Sequence, residues 1–310
     1  MVSGFSLCEG LKGSVALVTP FGMRTVLSGL PSAGSAEGTT GPAAVTFDHG
    51  KLAVLMEDSG VQPDGTSLIQ GPGAQAFGKL LLARPGADPG DWTFAADIAA
   101  FAAEHPQDPA TMGGIPGQET AYDSNPYDIV PFRSGYAIAD AAANDVLWLS
   151  PQGSLSVLGR LPTTPESFNG ATIDAQPVPI SLAVGCDGAL YVGTLIGVPS
   201  LPGTASVYRL VPGQAPVVAA TGLSAVTGIA FDHMGGLLAL EFNTGGLLGS
   251  PSNPGALVRV DLRTGAQTTL PVSLSQPTGL AVGRNGAVYV STGGNAGPCA
   301  GQVLKITGLD

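Results

Sequence analysis

The side chains able to do chemistry in this 310-residue chain are few, and they gather in a small number of places. Asp123, Ser124, Asn125 and Asp128 stand almost together, while Glu57-Asp58, Asp140, Gln176, Glu241, Asn243 and Gln276 lie far apart along the chain. Carboxylates and amides with few lysines beside them are the donor set of a Ca²⁺ site. The same residue types also cap turns and satisfy loop backbone groups, and that is the preferred reading of them as a class. Other chemistries lack their motifs: there is no Gly-x-Ser-x-Gly elbow and no His-Glu-x-x-His. Gly71-Pro72-Gly73 opens no helix and makes no phosphate cradle. His49 and His233 recur in Phe-Asp-His turns and read as structural. His105 ends the Ala-rich stretch 97–105 before Pro106, which reads as a short helix with a histidine near its C-terminal dipole. Three cysteines give no metal-ligand spacing.

Composition narrows the partners. Apolar residues make up 44% and charged residues 11%, ample for a core and too little charge for a disordered chain. The 46 Gly and 26 Pro are spread between short apolar runs, as turn punctuation is. With 12 basic against 23 acidic residues and a formal charge of −11, the clustered cations of a nucleic-acid site are missing. No apolar run is long enough to span a membrane, and the first residues have no basic and apolar regions of a signal peptide.

The residues that must position these side chains repeat. Pro277-Thr278-Gly279-Leu280-Ala281-Val282 leads through Asn285-Gly286 to Val288-Tyr289-Val290, and residues 179–194 match the stretch 277–292 without a gap. Further copies start at Val226, Pro126 and Pro42. Two apolar strands joined by Asn-Gly or Asp-Gly make a hairpin. A second hairpin follows each, as in Val207–Leu210, Leu257–Val260 and Val146–Leu149 with their returns. Four strands per unit at this period is the signature of an all-β propeller, whose blades bury their faces only against neighbours. The expected chain is one propeller domain over 1–310, with blades at 1–28 (partial), 42–105, 126–161, 179–221, 226–272 and 277–307. The first blade lacks its inner pair, which gives six blades with an incomplete first one; five blades is the alternative.

At these residues the chain resembles the ScyD/ScyE family, six-bladed propellers with NHL-like repeats associated with scytonemin-biosynthesis-type clusters. The resemblance rests on Gly29-Leu30-Pro31-Ser32, Phe77-Gly78-Lys79-Leu80-Leu81, Asp123-Ser124-Asn125-Pro126-Tyr127, the stretch from Ala139-Asp140 to Asp145-Val146-Leu147, and the two long repeats. It implies an exported protein, extracellular or periplasmic, whose leader and first inner hairpin precede the start of this chain. It implies no established reaction.

In such a ring, second-to-third-strand loops share one face with the loops joining successive blades. The long segments 58–78, 106–125, 162–178, 195–205, 243–255 and 293–301 all belong to that group. Long loops on a rigid scaffold are where binding residues concentrate. Asp123, Asn125, Asp128, Asp140, Gln176, Glu241, Asn243 and Gln276 are therefore expected around one channel mouth, holding a small molecule or a protein segment. The leading expectation is a monomeric, non-catalytic or accessory binding scaffold without cofactor. The alternative is a Ca²⁺-dependent hydrolase or lactonase using Asp123, Asn125, Asp128 and Glu241. A purely structural module is a third reading. Cys186 lies in a first-to-second-strand turn; Cys8 and Cys299 precede third strands of the first and last blades and are expected to form a disulfide.

Overall fold

A computed structural model describes residues 8–19, 21–34, 39–57, 69, 71–107, 123–293 and 300–309. The chain is nearly all-β, with its strands in a six-bladed propeller arrangement. Five blades is thereby set aside. By contacts the residues group into two compact units, Met1–Asp108 with Thr120–Ala143 and Leu147–Ser156, and Pro109–Glu119 with Asn144–Val146 and Val157–Asp310.

In chain order, β1 (Cys8–Thr19), β2 (Gly22–Gly34) and β3 (Thr39–Thr40) form a three-stranded sheet. Then β4 (Pro42–Asp48), β5 (Lys51–Met56), β6 (Lys79–Ala83) and β7 (Trp92–Asp97) make a four-stranded one, followed by α1 (Ile98–Glu104). β8 (Pro126–Phe132), β9 (Gly135–Asp140), β10 (Asp145–Leu149) and β11 (Leu155–Arg160) follow in the same order. A separate hairpin, β12 (Thr164–Phe168) and β13 (Ala171–Ala175), precedes β14 (Pro179–Val184), β15 (Leu190–Thr194), β16 (Ala205–Leu210) and β17 (Val217–Leu223). β18 (Val226–Phe231), β19 (Leu237–Glu241), β20 (Ala256–Val260) and β21 (Gln267–Thr269) complete the next sheet. β22 (Gly279–Val282), β23 (Val288–Thr292) and β24 (Gln302–Ile306) form the last, with three strands.

Each sheet is the antiparallel meander expected from the repeat. The second strands, such as β15 and β19, are buried at every position instead of alternating, because both faces of a blade are covered. Leu190, Val192, Leu237 and Leu240 are fully buried, as are Leu55, Leu80, Ile138 and Val54 in the first unit. The turn glycines that marked the repeat, Gly50, Gly188, Gly235 and Gly286, all have φ between +73° and +85°, a region where a side chain is strained.

Three elements differ from expectation. The first hairpin is longer than the expected pair of short strands: β1 and β2 pair from Cys8↔Gly34 to Thr19↔Gly22, with bulges absorbing three register shifts. The segment 162–178, expected as a loop, contains β12 and β13, joined at Asn169-Gly170 with φ of +52° and +79°. The His49 and His233 turns also differ in length, Asp48↔Lys51 against Phe231↔Leu237. The short helix is as expected: Asp97 caps it by accepting from the Ala100 N–H at 3.0 Å. His105 Nδ1 lies 2.9 Å from the Phe101 carbonyl and its ring stacks on Phe101 at 4.1 Å.

Candidate functional site

The predicted polar residues sit where inner strands begin and second strands end, and there the structure gives most of them a defined task. Asp140 closes β9 and is fully buried. Its Oδ2 accepts from the Ser124 hydroxyl at 2.6 Å, and its Oδ1 accepts the N–H groups of Asn125 at 2.7 Å and Ala143 at 3.2 Å. Burial pushes its pKa up from 3.8 to about 6; the three hydrogen bonds work against that shift, and the charge of Asp123 adds to it. Asp123 Oδ1 in turn accepts the Ser124 N–H at 3.0 Å. Asp123, Ser124, Asn125 and Asp140 thus form one hydrogen-bonded cluster.

Glu241 occupies the same position at the end of β19. Its Oε1 accepts the Ser224 N–H at 2.8 Å, just ahead of β18. Burial raises its pKa, opposed by that hydrogen bond. At the end of β23, Thr292 Oγ1 accepts the Ser275 N–H at 3.2 Å ahead of β22. The fourth entry is tied from elsewhere: the Val178 N–H donates to Asn144 Oδ1 at 3.1 Å, while Thr194 turns to Ser206. From Asn125 onward, then, each entry into an inner strand has a backbone N–H taken by a side chain. Backbone bonds complete the tie, with N–H groups of Ala141, Leu195 and Phe242 donating to carbonyls of Asn125, Val178 and Ala225 at 2.9 to 3.0 Å.

These entries are also where the chain turns sharply. Val178, Ala225 and Gln276 have φ of +50°, +42° and +45°. For a β-branched valine that is a genuine departure from the allowed regions. Such departures persist only where surrounding bonds over-determine them.

The remaining candidates organise loops. Asn243 Oδ1 accepts the Gly245 N–H at 2.8 Å and its amide donates to the Ser250 carbonyl at 3.0 Å, pinning the loop after β19. The Gln176 carbonyl accepts the Gly197 N–H at 2.8 Å. Asp128 Oδ1 accepts the Ile129 N–H at 2.8 Å beside a register shift in β8. Burial raises the Tyr127 phenol, with the charges of Glu57 and Asp128 adding to the shift. Among the described residues no three His, Cys, Asp or Glu side chains come together as metal ligands. Asp58 and Cys299 lie outside the described residues, as does the side chain of Cys8, and the expected Cys8–Cys299 pairing with them; Cys186 is a free, exposed thiol.

One residue of this face was missed. Glu166, in the unexpected β12–β13 hairpin, is only 3% exposed. Its Oε2 accepts the Leu201 N–H at 3.0 Å, and its Oε1 is buried without a hydrogen-bond partner. Ser200 extends the tie, accepting the Leu247 N–H at 3.1 Å, so the hairpin and the loops after β15 and β19 are fastened to one another. The Asn169-Gly170 pair, a two-residue hairpin turn, was the signal for it.

No protein-family model matches the chain, and no curated protein does either. Solved structures do. A catalytically inactive virginiamycin B lyase from Staphylococcus aureus with quinupristin is 13% identical, at a TM-score of 0.51 over 97% of this chain and 88% of that one. A nidogen/laminin complex gives a TM-score of 0.55 at 11% identity, over 92% and 84%. A luciferin-regenerating enzyme gives 0.51 at 10% identity, over 99% and 96%. At such identities the likeness is one of fold, and the fold it shows is the six-bladed β-propeller.

Proposed function

We propose that this chain is a binding propeller, of the ScyD/ScyE kind that its repeat words resemble, exported and acting as a monomer. It holds a small molecule or a peptide segment over the long-loop face. The residues proposed for it are Asp123, Asn125 and Asp128, near the buried Asp140 in the first unit, and Gln176, Asn243 and Gln276, in the second unit with the buried Glu241. The observation that carries this reading is what those two carboxylates do. Asp140 has both oxygens occupied by N–H and O–H donors, and Glu241 spends Oε1 on the Ser224 N–H. A general base or a cation ligand needs a lone pair directed at its target; Asp140 directs both of its oxygens, and Glu241 its Oε1, into their own loop entries. Asp140 is thereby committed to its own loop entry, which supports binding over a calcium-dependent hydrolase, and no step is drawn through a metal.

Histidine chemistry has no support on this face either. His49 and His233 stand in first-to-second-strand turns, and His105 is stacked on Phe101. The fold is compatible with both kinds of occupant, since solved structures of like fold include a lyase with quinupristin and nidogen in complex with laminin. Among the described residues no helix is long and apolar enough to cross a membrane.

The test is metal analysis of the full chain purified without chelator, with melting curves in buffer and in EDTA. No bound metal and an unchanged melting temperature are expected. Stoichiometric Ca²⁺, with a melting temperature that drops in EDTA, would overturn the binding reading in favour of a calcium-dependent hydrolase.

A further inference from the structure

The second unit also carries a groove of ≈ 520 Å³ against the turns that join β14 to β15 and β18 to β19, with β20 and the turn after it completing the wall. That volume lies within the range of small-molecule sites, roughly 300–1,000 Å³. Its walls are Tyr191, Phe231, Met234 and Leu262. Tyr191 and Phe231 meet edge to face at 4.9 Å, while Met234 is 69% exposed, a flexible thioether able to adapt to an occupant.

The charges at the groove are matched within the protein. Asp187 Oδ2 accepts from Arg209 Nε at 2.8 Å and from the Tyr191 hydroxyl at 3.3 Å. Asp232 Oδ2 lies 3.0 Å from Arg259 Nε, a charge pair in which neither atom has a hydrogen-bond partner, and Asp261 Oδ2 lies 3.9 Å from Arg263 Nη2. Three carboxylates face three guanidinium groups, so no net charge is left for a ligand to neutralise. The turn donors are spent as well: Met234 and Gly236 give their N–H groups to Asp232 Oδ1 at 2.9 and 2.8 Å, and Gly235 gives its own to the Asp232 carbonyl at 3.1 Å. An ionic ligand would have to break one of these pairs; an uncharged apolar one breaks none.

We propose that this groove is a second binding site, for an uncharged, largely apolar small molecule carrying an aromatic ring. It is independent of the long-loop face, and either site can fail without the other.

Cys186, an exposed thiol among the lining residues, reports on occupancy. The full chain is titrated with the neutral naphthalene dye Prodan, with an anionic and a cationic naphthalene dye as controls. Alkylation of Cys186 by a maleimide is followed peptide by peptide by mass spectrometry. One Prodan per chain is expected, with blue-shifted emission and at least fivefold slower alkylation of Cys186. Met234→Glu weakens Prodan at least tenfold, and Met23→Glu, at another exposed methionine, leaves it unchanged. Three results overturn the proposal: no Prodan binding, a charged dye binding more tightly than the neutral one, or Prodan binding that neither slows Cys186 nor responds to Met234→Glu.

Discussion

Replacing Asp140 by Asn should make the protein more stable at neutral pH, and only there. In the folded chain the Asp140 carboxyl titrates at about 6, against 3.8 for an ordinary aspartate. A folded-state pKa raised in this way means that the native state holds the proton more tightly than the unfolded state does. Its contribution is favourable below pH 3.8, falls as the pH rises from 3.8 through 6, and is fully lost above. The shift corresponds to about 3 kcal/mol by pH 7. Asn carries no charge at any pH and fills the same space. Its Oδ1 accepts from the Asn125 and Ala143 N–H groups, and its amide donates to the Ser124 hydroxyl, which rotates to accept. The difference between variant and parent should therefore be near zero at pH 4 and grow to about 2–3 kcal/mol in the variant's favour by pH 7. Urea unfolding at pH 4, 5, 6 and 7, followed by the fluorescence of Trp92 and Trp148, measures it, because all other titrating groups cancel in the difference. Parallel stability curves would refute the reasoning. So would a variant less stable than the parent at pH 7, since the ionised carboxylate would then be a net stabiliser through its three hydrogen bonds.

Two other substitutions probe the same loop entries. Val178 holds φ at +50°, so Val178→Asn, which tolerates the left-handed region and keeps the N–H to Asn144, should gain roughly 0.5–1 kcal/mol. A higher melting temperature is the readout, and an unchanged or lower one means the valine is not strained. Glu166→Ala leaves the half-buried Leu201 N–H without its acceptor and should cost about 1 kcal/mol with faster proteolytic cleavage in 195–205, whereas Glu166→Gln, which keeps an acceptor, should lose little. Equal cleavage of both variants would show that this hydrogen bond does not hold the loop.

The repeat was legible because its turns demand one residue. At Gly188, Gly235 and Gly286 the backbone takes a left-handed φ that glycine alone adopts without strain, so glycine recurs at fixed offsets between apolar runs that any propeller blade must bury. The β12–β13 hairpin was missed although Asn169-Gly170 carries the same kind of signal. Its strands, Thr164–Phe168 and Ala171–Ala175, are half exposed and lack the apolar run that drew attention elsewhere. For the candidate site, residue type and position at the strand ends were legible, but the direction of each side chain was not. Asp140, Thr194, Glu241 and Thr292 end four second strands, yet Thr194 turns to the following strand while the other three turn back to the entry before their own blade.

That split follows from what each entry needs. An inner strand begins where the chain leaves a loop and turns into a packed sheet, and the turn leaves a backbone N–H that the sheet does not pair. Leaving it unpaired costs about 1–3 kcal/mol, comparable to the strain of the left-handed residue at Val178 or Ala225. A side chain that accepts from the stranded N–H removes the first cost and fixes the geometry that sustains the second. Where Asn144 already reaches Val178, Thr194 is released for other bonding; where no neighbour reaches, the residue ending the second strand must itself be an acceptor. Acceptor side chains at the ends of second strands therefore recur in this chain for a structural reason. Their recurrence is no evidence of catalysis, and the binding role proposed above would fall to side chains that the entries do not consume.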